Sequence, residues 1–175
     1  MKLTVLQENL NKALLLCIRF TSARAPLPVL GNILISGQKT KLVIAATNLE
    51  SAIVFSLGAQ VKEDGEITVP AKTISEFIAN LPAGPLTLET EKESLKVSTS
   101  DSSSRMAGMN SADFPAVPRS LTKTAGLILE KENFTKALLQ VLPCVSLDET
   151  RPVLTGALMV FQKNALVWWR PTAFA

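Results

Sequence analysis

Residues 2–6 alternate polar and apolar positions (Lys2, Leu3, Thr4, Val5), the pattern of a half-buried strand. From residue 7 to residue 20 the apolar period lengthens to that of a helix. Leu6, Leu10, Leu14 and Cys17 fall on one face and are expected in the core, with Lys12 and Arg19 on another. Pro26 and Pro28 rule out further helix. Apolar runs at 30–36 and 41–47 predict two strands, with Gly37-Gln38-Lys39-Thr40 as the hairpin loop. Residues 50–61 continue in strands.

The same order then returns. Glu66-Ile67-Thr68-Val69 reads as a strand ending at Pro70, and 72–81 as a helix with Ile74, Phe77, Ile78 and Leu81 inward. Thr73 and Glu76 have capping-box spacing. Strands follow at 85–90, 94–99 and 103–109. The reading is α+β: a strand–helix–three-strand unit used twice, with helices on one side of antiparallel sheets.

A longer repeat lies over this one. Shifted by 124 positions, Leu3–Val43 overlays Leu127–Val167 without a gap, and 16 of the 41 aligned positions are identical. Ordinary composition gives about three by chance. Glu8-Asn9-Leu10-Asn11-Lys12-Ala13-Leu14-Leu15 meets Glu132-Asn133-Phe134-Thr135-Lys136-Ala137-Leu138-Leu139, and Pro28-Val29-Leu30 meets Pro152-Val153-Leu154. The expected organisation is a complete domain at 1–118, the start of a second at 119–167, and a tail at 168–175. Asp113-Phe114-Pro115-Ala116-Val117-Pro118 marks the joint, because its prolines continue neither a ladder nor a helix.

Composition narrows the chemistry. The chain has no His and no Tyr, so a Ser-His-Asp triad, a Cys-His pair and a His-ligated metal are excluded. Cys17 and Cys144 each stand in an apolar stretch and read as small hydrophobes, too few for a zinc site. Residues 31–40 lack the Gly-Lys-Ser/Thr spacing of a phosphate loop. Glu63-Asp64 and Asp148-Glu149 have no apolar setting to raise a carboxyl pKa, and read as solvated turns. No catalytic residue, metal or cofactor is expected. Nor does the sequence have a signal peptide or a membrane-spanning run, which makes the cytoplasm the default location. The net charge of +3 is too small to argue for nucleic acid by itself.

The motifs, in order, are Lys2-Leu3-Thr4-Val5 with Glu8-Asn9-Leu10, Arg24-Ala25-Pro26-Leu27-Pro28-Val29-Leu30-Gly31-Asn32-Ile33-Leu34, Ala46-Thr47-Asn48-Leu49-Glu50, Thr68-Val69-Pro70-Ala71-Lys72 and Ser111-Ala112-Asp113-Phe114-Pro115. Together they resemble the amino-terminal part of the bacterial DNA polymerase III beta subunit, the sliding clamp, over residues 1–167. The resemblance implies a DNA clamp fold, three domains in the full subunit, and a head-to-tail homodimeric ring around duplex DNA. Helices line the hole of that ring, which tethers the replicative polymerase and has the clamp loader as a further partner. It further implies phosphate contacts from Lys12, Arg19, Arg24, Lys72 and, in the second domain, Lys136. Each of these is otherwise a solvated surface base. The subunit interface falls on an edge strand at Ser103, Ser104, Arg105, Met106, Ala107, Gly108 and Met109. The polar run Ser98, Thr99, Ser100 and Ser102 before it suits any unpaired edge equally well.

After Leu166-Val167 the family continues with Ala-Thr-Asp-Gly, an aromatic or His, and Arg. Here the sequence reads Trp168-Trp169-Arg170-Pro171-Thr172-Ala173-Phe174-Ala175. Two Trp and a Pro are out of place in that strand, and a shifted reading frame accounts for them. The expectation is a truncated chain with a shifted tail, lacking most of the peptide-recruiting cleft that the family builds between domains two and three. Leu127, Leu129, Leu138 and Leu154 would then lack partners. A stand-alone DNA- or clamp-binding module made of the first domain is the alternative role. An enzyme is disfavoured by the missing His and Tyr.

Overall fold

In the computed structural model, which describes residues 1–22, 27–117, 128–148, 150–162 and 165–169, the chain divides into two units, Met1–Leu121 and Thr122–Ala175. Unit 1 opens with β1 (Lys2–Leu6) and α1 (Gln7–Cys17). The helix tightens into a 3-10 turn over Ile18–Phe20, so the predicted helix to residue 20 is right in extent but not in kind at its end. Then come β2 (Asn32–Gln38), β3 (Lys41–Thr47), β4 (Ala52–Gly58) and β5 (Gln60–Glu63). The second half is β6 (Gly65–Pro70), α2 (Ala71–Ala79), β7 (Pro85–Glu91), β8 (Ser94–Ser98) and β9 (Ser103–Ala107).

All pairings are antiparallel. One sheet has the order β5-β1-β7-β8-β9 and the other β4-β3-β2-β6. The first strand of each half has changed places: β1 lies beside β7, with Leu3 opposite Leu88, and β6 lies beside β2, with Ile67 opposite Ile35. The third strand of each half bends to reach across. β4 continues through Ala59 into β5, which pairs with β1, while Met109 beyond β9 bridges Thr68 of β6. The halves are thus related by a local twofold.

α1 and α2 lie against each other, and their inner faces join both sheets in one core. Leu10 and Leu14 of α1 correspond to Ile74 and Ile78 of α2, and all four are fully buried. A smaller cluster of Val29, Leu30, Leu34, Ala45 and Phe114 is separate from that core. Its Leu34 and Ala45 are opposed on β2 and β3, and alternation directs their neighbours Ile33, Ile35 and Ile44 into the main core. Phe114 of the predicted joint is therefore an anchor for unit 1.

Three expectations are corrected. Leu6 is 49% exposed, because it still belongs to β1, whose alternation turns Leu3 and Val5 inward and Leu6 outward. Gly37 is not in the hairpin loop. It pairs with Leu42 and Gly65 inside the sheet, and a Cβ there would stand 2.9 Å from Leu3 Cδ2. Thr73 does not cap α2: the helix starts at Ala71 after Pro70, with no side-chain cap, and Glu76 faces Lys72 instead.

In unit 2 the described α-helix and strands are α3 (Lys131–Val141), β10 (Leu158–Phe161) and β11 (Leu166–Trp169). β11 pairs with β10, placing Trp168 opposite Met159 and Trp169 opposite Leu158. Trp168 also packs on Phe134 of α3, ring centroids 5.4 Å apart. The two tryptophans therefore continue the strand rather than interrupt it, as befits residues favoured in strands.

Candidate nucleic-acid interface

The two helices of unit 1 are antiparallel, and their register is pinned at one end. Gln7 is buried, and its Nε2 donates to the carbonyl oxygen of Ile78 at 2.7 Å. The Gln7 backbone N–H donates to Gly84 O at 2.8 Å, which satisfies one of the open donors of the first helical turn. One turn further, Asn11 and Ser75 occupy equivalent positions of the two halves. Asn11 Oδ1 and Ser75 Oγ are both buried without a hydrogen-bond partner. Sequence reading missed all three residues. The signal available was the inner repeat, in which a polar residue follows Leu10 and Ile74 alike.

The outer faces of the helices carry the predicted bases. Lys12 is exposed on α1, and Arg19 is exposed in the 3-10 turn that follows. Lys72 is the second residue of α2, its side chain 82% exposed and its Nζ 3.9 Å from Glu76 Oε1. So long and solvated a pair contributes at most about 0.5 kcal/mol, which leaves Lys72 available to another anion. Lys72 also sits in the first turn of its helix, where the macrodipole disfavours a cation and favours a phosphate. The face is not uniformly basic, since Glu8 and Glu76 are exposed on it too. Lys136 is exposed on α3 of unit 2, and Arg24 lies outside the described residues.

Of the carboxylates singled out from sequence, Glu63 ends β5 opposite Lys2, whereas Asp64 and Asp148 serve turns. Asp64 Oδ1 accepts from Lys39 N at 3.0 Å, and Asp148 Oδ1 from Thr150 N at 3.0 Å. The Thr150 hydroxyl and N–H hold the Asp148 carboxyl below its usual value. Glu149 lies outside the described residues.

β9 pairs with β8 and has no strand on its other side among the described residues. Ser103, Arg105 and Ala107 are exposed along it, Ser104 is half-buried, and Met106 turns into the core. Arg105 is ion-paired to Glu91. Gly108 and Met109 are engaged within unit 1. Gly108 N donates to Glu93 O at 2.8 Å, and Met109 exchanges backbone bonds with Thr68 at 2.9 and 3.1 Å.

Two antiparallel helices backed by two antiparallel sheets, repeated about a local twofold, form the architecture of a DNA clamp domain. The family model described as DNA polymerase III beta subunit, N-terminal domain, matches residues 1–118. The beta sliding clamp of Synechocystis is 34% identical over 165 residues, covering 89% of this chain and 42% of its own length. That of Synechococcus elongatus is 32% identical, covering 95% and 45%. The crystal structure of the DNA polymerase III subunit beta from Pseudomonas aeruginosa superimposes with a TM-score of 0.87 at 24% identity, over 99% of this chain and 47% of that one. The chain belongs to the DNA polymerase III beta subunit family, and it spans less than half the length of these relatives. Among the described residues no helix is long and apolar enough to cross a membrane.

Proposed function

We propose that this chain is the amino-terminal part of a cytoplasmic sliding clamp, which encircles duplex DNA and holds the replicative polymerase on it without catalysing a reaction. The observation that carries the reading is the α1–α2 pair, with Lys12, Arg19 and Lys72 on its exposed side and both sheets behind it. A ring that slides must bind the duplex without reading it. Phosphate contacts from Lys and Arg do this, because phosphates carry no sequence information. Arg24 and Lys136 join the set by family resemblance.

In the full-length parent, β9 supplies the edge at which two subunits close head to tail, by adding a strand to an open sheet. Clamp loader and polymerase act on the closed ring.

Fluorescence anisotropy of the chain on short duplexes over a range of salt tests the DNA contact. Affinity should not depend on base sequence, and it should fall steeply with salt. Lys12→Ala, Arg19→Ala and Lys72→Ala should each lower the slope of log K against log salt by about 1. A slope unchanged in all three variants, or a marked preference for one sequence, would sink the reading.

A further inference from the structure

The exposed side of α1 mixes two kinds of residue. Leu10, Ala13, Leu14 and Cys17 take the buried face, and Leu15 and Leu16 are left outside it, 51% and 41% exposed. Lys12 stands one turn before the two leucines and Arg19 one turn after them, and both are exposed. The four residues fall at i, i+3, i+4 and i+7, the spacing of one helix stripe. The stripe therefore runs cation, leucine, leucine, cation, over a length of about 10 Å. Glu8 lies outside it, one turn before Lys12.

A single exposed leucine is ordinary on a protein surface, but an adjacent pair bracketed by two cations forms a composite patch. Among the described residues α2 has no large apolar side chain of like exposure. The 124-residue repeat restates the pattern, with Lys136 and Leu139 at the positions of Lys12 and Leu15. Such a patch fits a ligand whose anionic groups are separated by apolar ones. The backbone of duplex DNA is built this way, with a phosphate about every 3.4 Å of axis along each strand and deoxyribose carbons between successive phosphates.

Resting on the DNA-encircling reading above, we infer that Leu15 and Leu16 lie against the deoxyribose surface between phosphates bound by Lys12 and Arg19, and supply a part of the affinity that salt does not weaken. Apolar contact is non-directional and scales with the area removed from water. It has no hydrogen bond to break when the duplex advances, so it holds the backbone without fixing a register. The contribution of Lys12 and Arg19 works through counterion release and falls with salt. Salt therefore separates the two.

Anisotropy of the 175-residue chain on a short DNA duplex, from low to high salt, makes the separation. The double variant Leu15→Gln/Leu16→Gln should bind about tenfold more weakly at every salt, the loss that two half-exposed leucines can account for. The slope of log K against log salt should stay as in the parent. Leu15→Met/Leu16→Met, which keeps the apolar surface, should bind like the parent. Gln and Met are both good helix formers, so the urea midpoint should not move in either variant. Parental affinity in the Gln variant, or a changed slope, overturns the inference, and the DNA reading still stands if Lys12→Ala lowers the slope. A parent chain with no salt-dependent binding removes both. Self-association that is lost in the Gln variant while DNA affinity holds would assign the leucines to a second copy of the chain instead.

Discussion

Gln7 at the start of α1 is joined to Ile78 near the end of α2 by a buried 2.7 Å hydrogen bond. It is a polar tie at one end of the helix pair. Gln7→Ala removes the donor, and the Ile78 carbonyl keeps the bond from Leu81 N, so the cost is about 0.5–1.5 kcal/mol. Urea denaturation should register the loss as a lower midpoint with an unchanged m-value. No measurable loss would mean that the tie contributes nothing to the helix register.

Gly108→Ala should be worse tolerated than an ordinary glycine replacement. The added Cβ would stand 2.6 Å from Thr68 O and 2.7 Å from Ile67 Cδ1, and the nearer of these is backbone. Relief requires the Thr68–Met109 bridge to open. We expect about 1–3 kcal/mol of destabilisation and faster amide exchange at Thr68 and Met109. Gly58→Ala, with nothing within 4 Å, is the control. Equal effects of the two substitutions would contradict this account.

Lys2 and Glu89 make a 2.9 Å ion pair across β1 and β7, and each holds the other in its charged form. The hydrogen bond from Lys2 lowers the Glu89 carboxyl from its ordinary 4.5, and Glu89 raises the Lys2 ammonium from 10.5. The Glu89 contribution is complete above 4.5 and is lost as pH falls through the lowered value. The Lys2 contribution is complete below 10.5 and is lost as pH rises through the raised one. Glu89→Gln should therefore flatten the acid limb of the stability curve slightly, with the effect shrinking as salt is added. A steeper acid limb in the variant would reverse the assigned sign.

Cys17 is fully buried, and burial pushes its thiol up to about 12, whereas Cys144 is exposed. Alkylation of the native chain near neutral pH should modify Cys144 and spare Cys17 until the protein unfolds. Mass spectrometry of the peptides decides this. Modification of both at the same rate would show that unit 1 opens far more readily than its core implies.

The elements were legible because they rest on local periodicity. Both helices of unit 1 and its strands follow apolar spacing, and the 124-residue repeat located the second unit. The errors arise where tertiary placement overrides a local cue. Leu6 has helical spacing with Leu10 but ends a strand, and Gly37 imitates a turn glycine while making room for Leu3. The exchange of β1 and β6 between the halves has no local signature at all. Among the candidate site residues, Lys12, Arg19 and Lys72 were recognisable as exposed bases on helices. The Gln7–Ile78 tie was not, because a buried glutamine looks like a surface one in sequence. Trp168 and Trp169 appeared foreign to their strand, yet they pair and pack within it.

The exchanged first strands also govern how the domain is made. β1 leaves the ribosome first, but its neighbour β7 ends at Glu91, and β2 waits likewise for β6. Neither half can close its sheet on its own account, and pairings this distant in sequence form slowly. During synthesis the nascent chain therefore carries a finished helix and open strand edges until most of unit 1 has emerged.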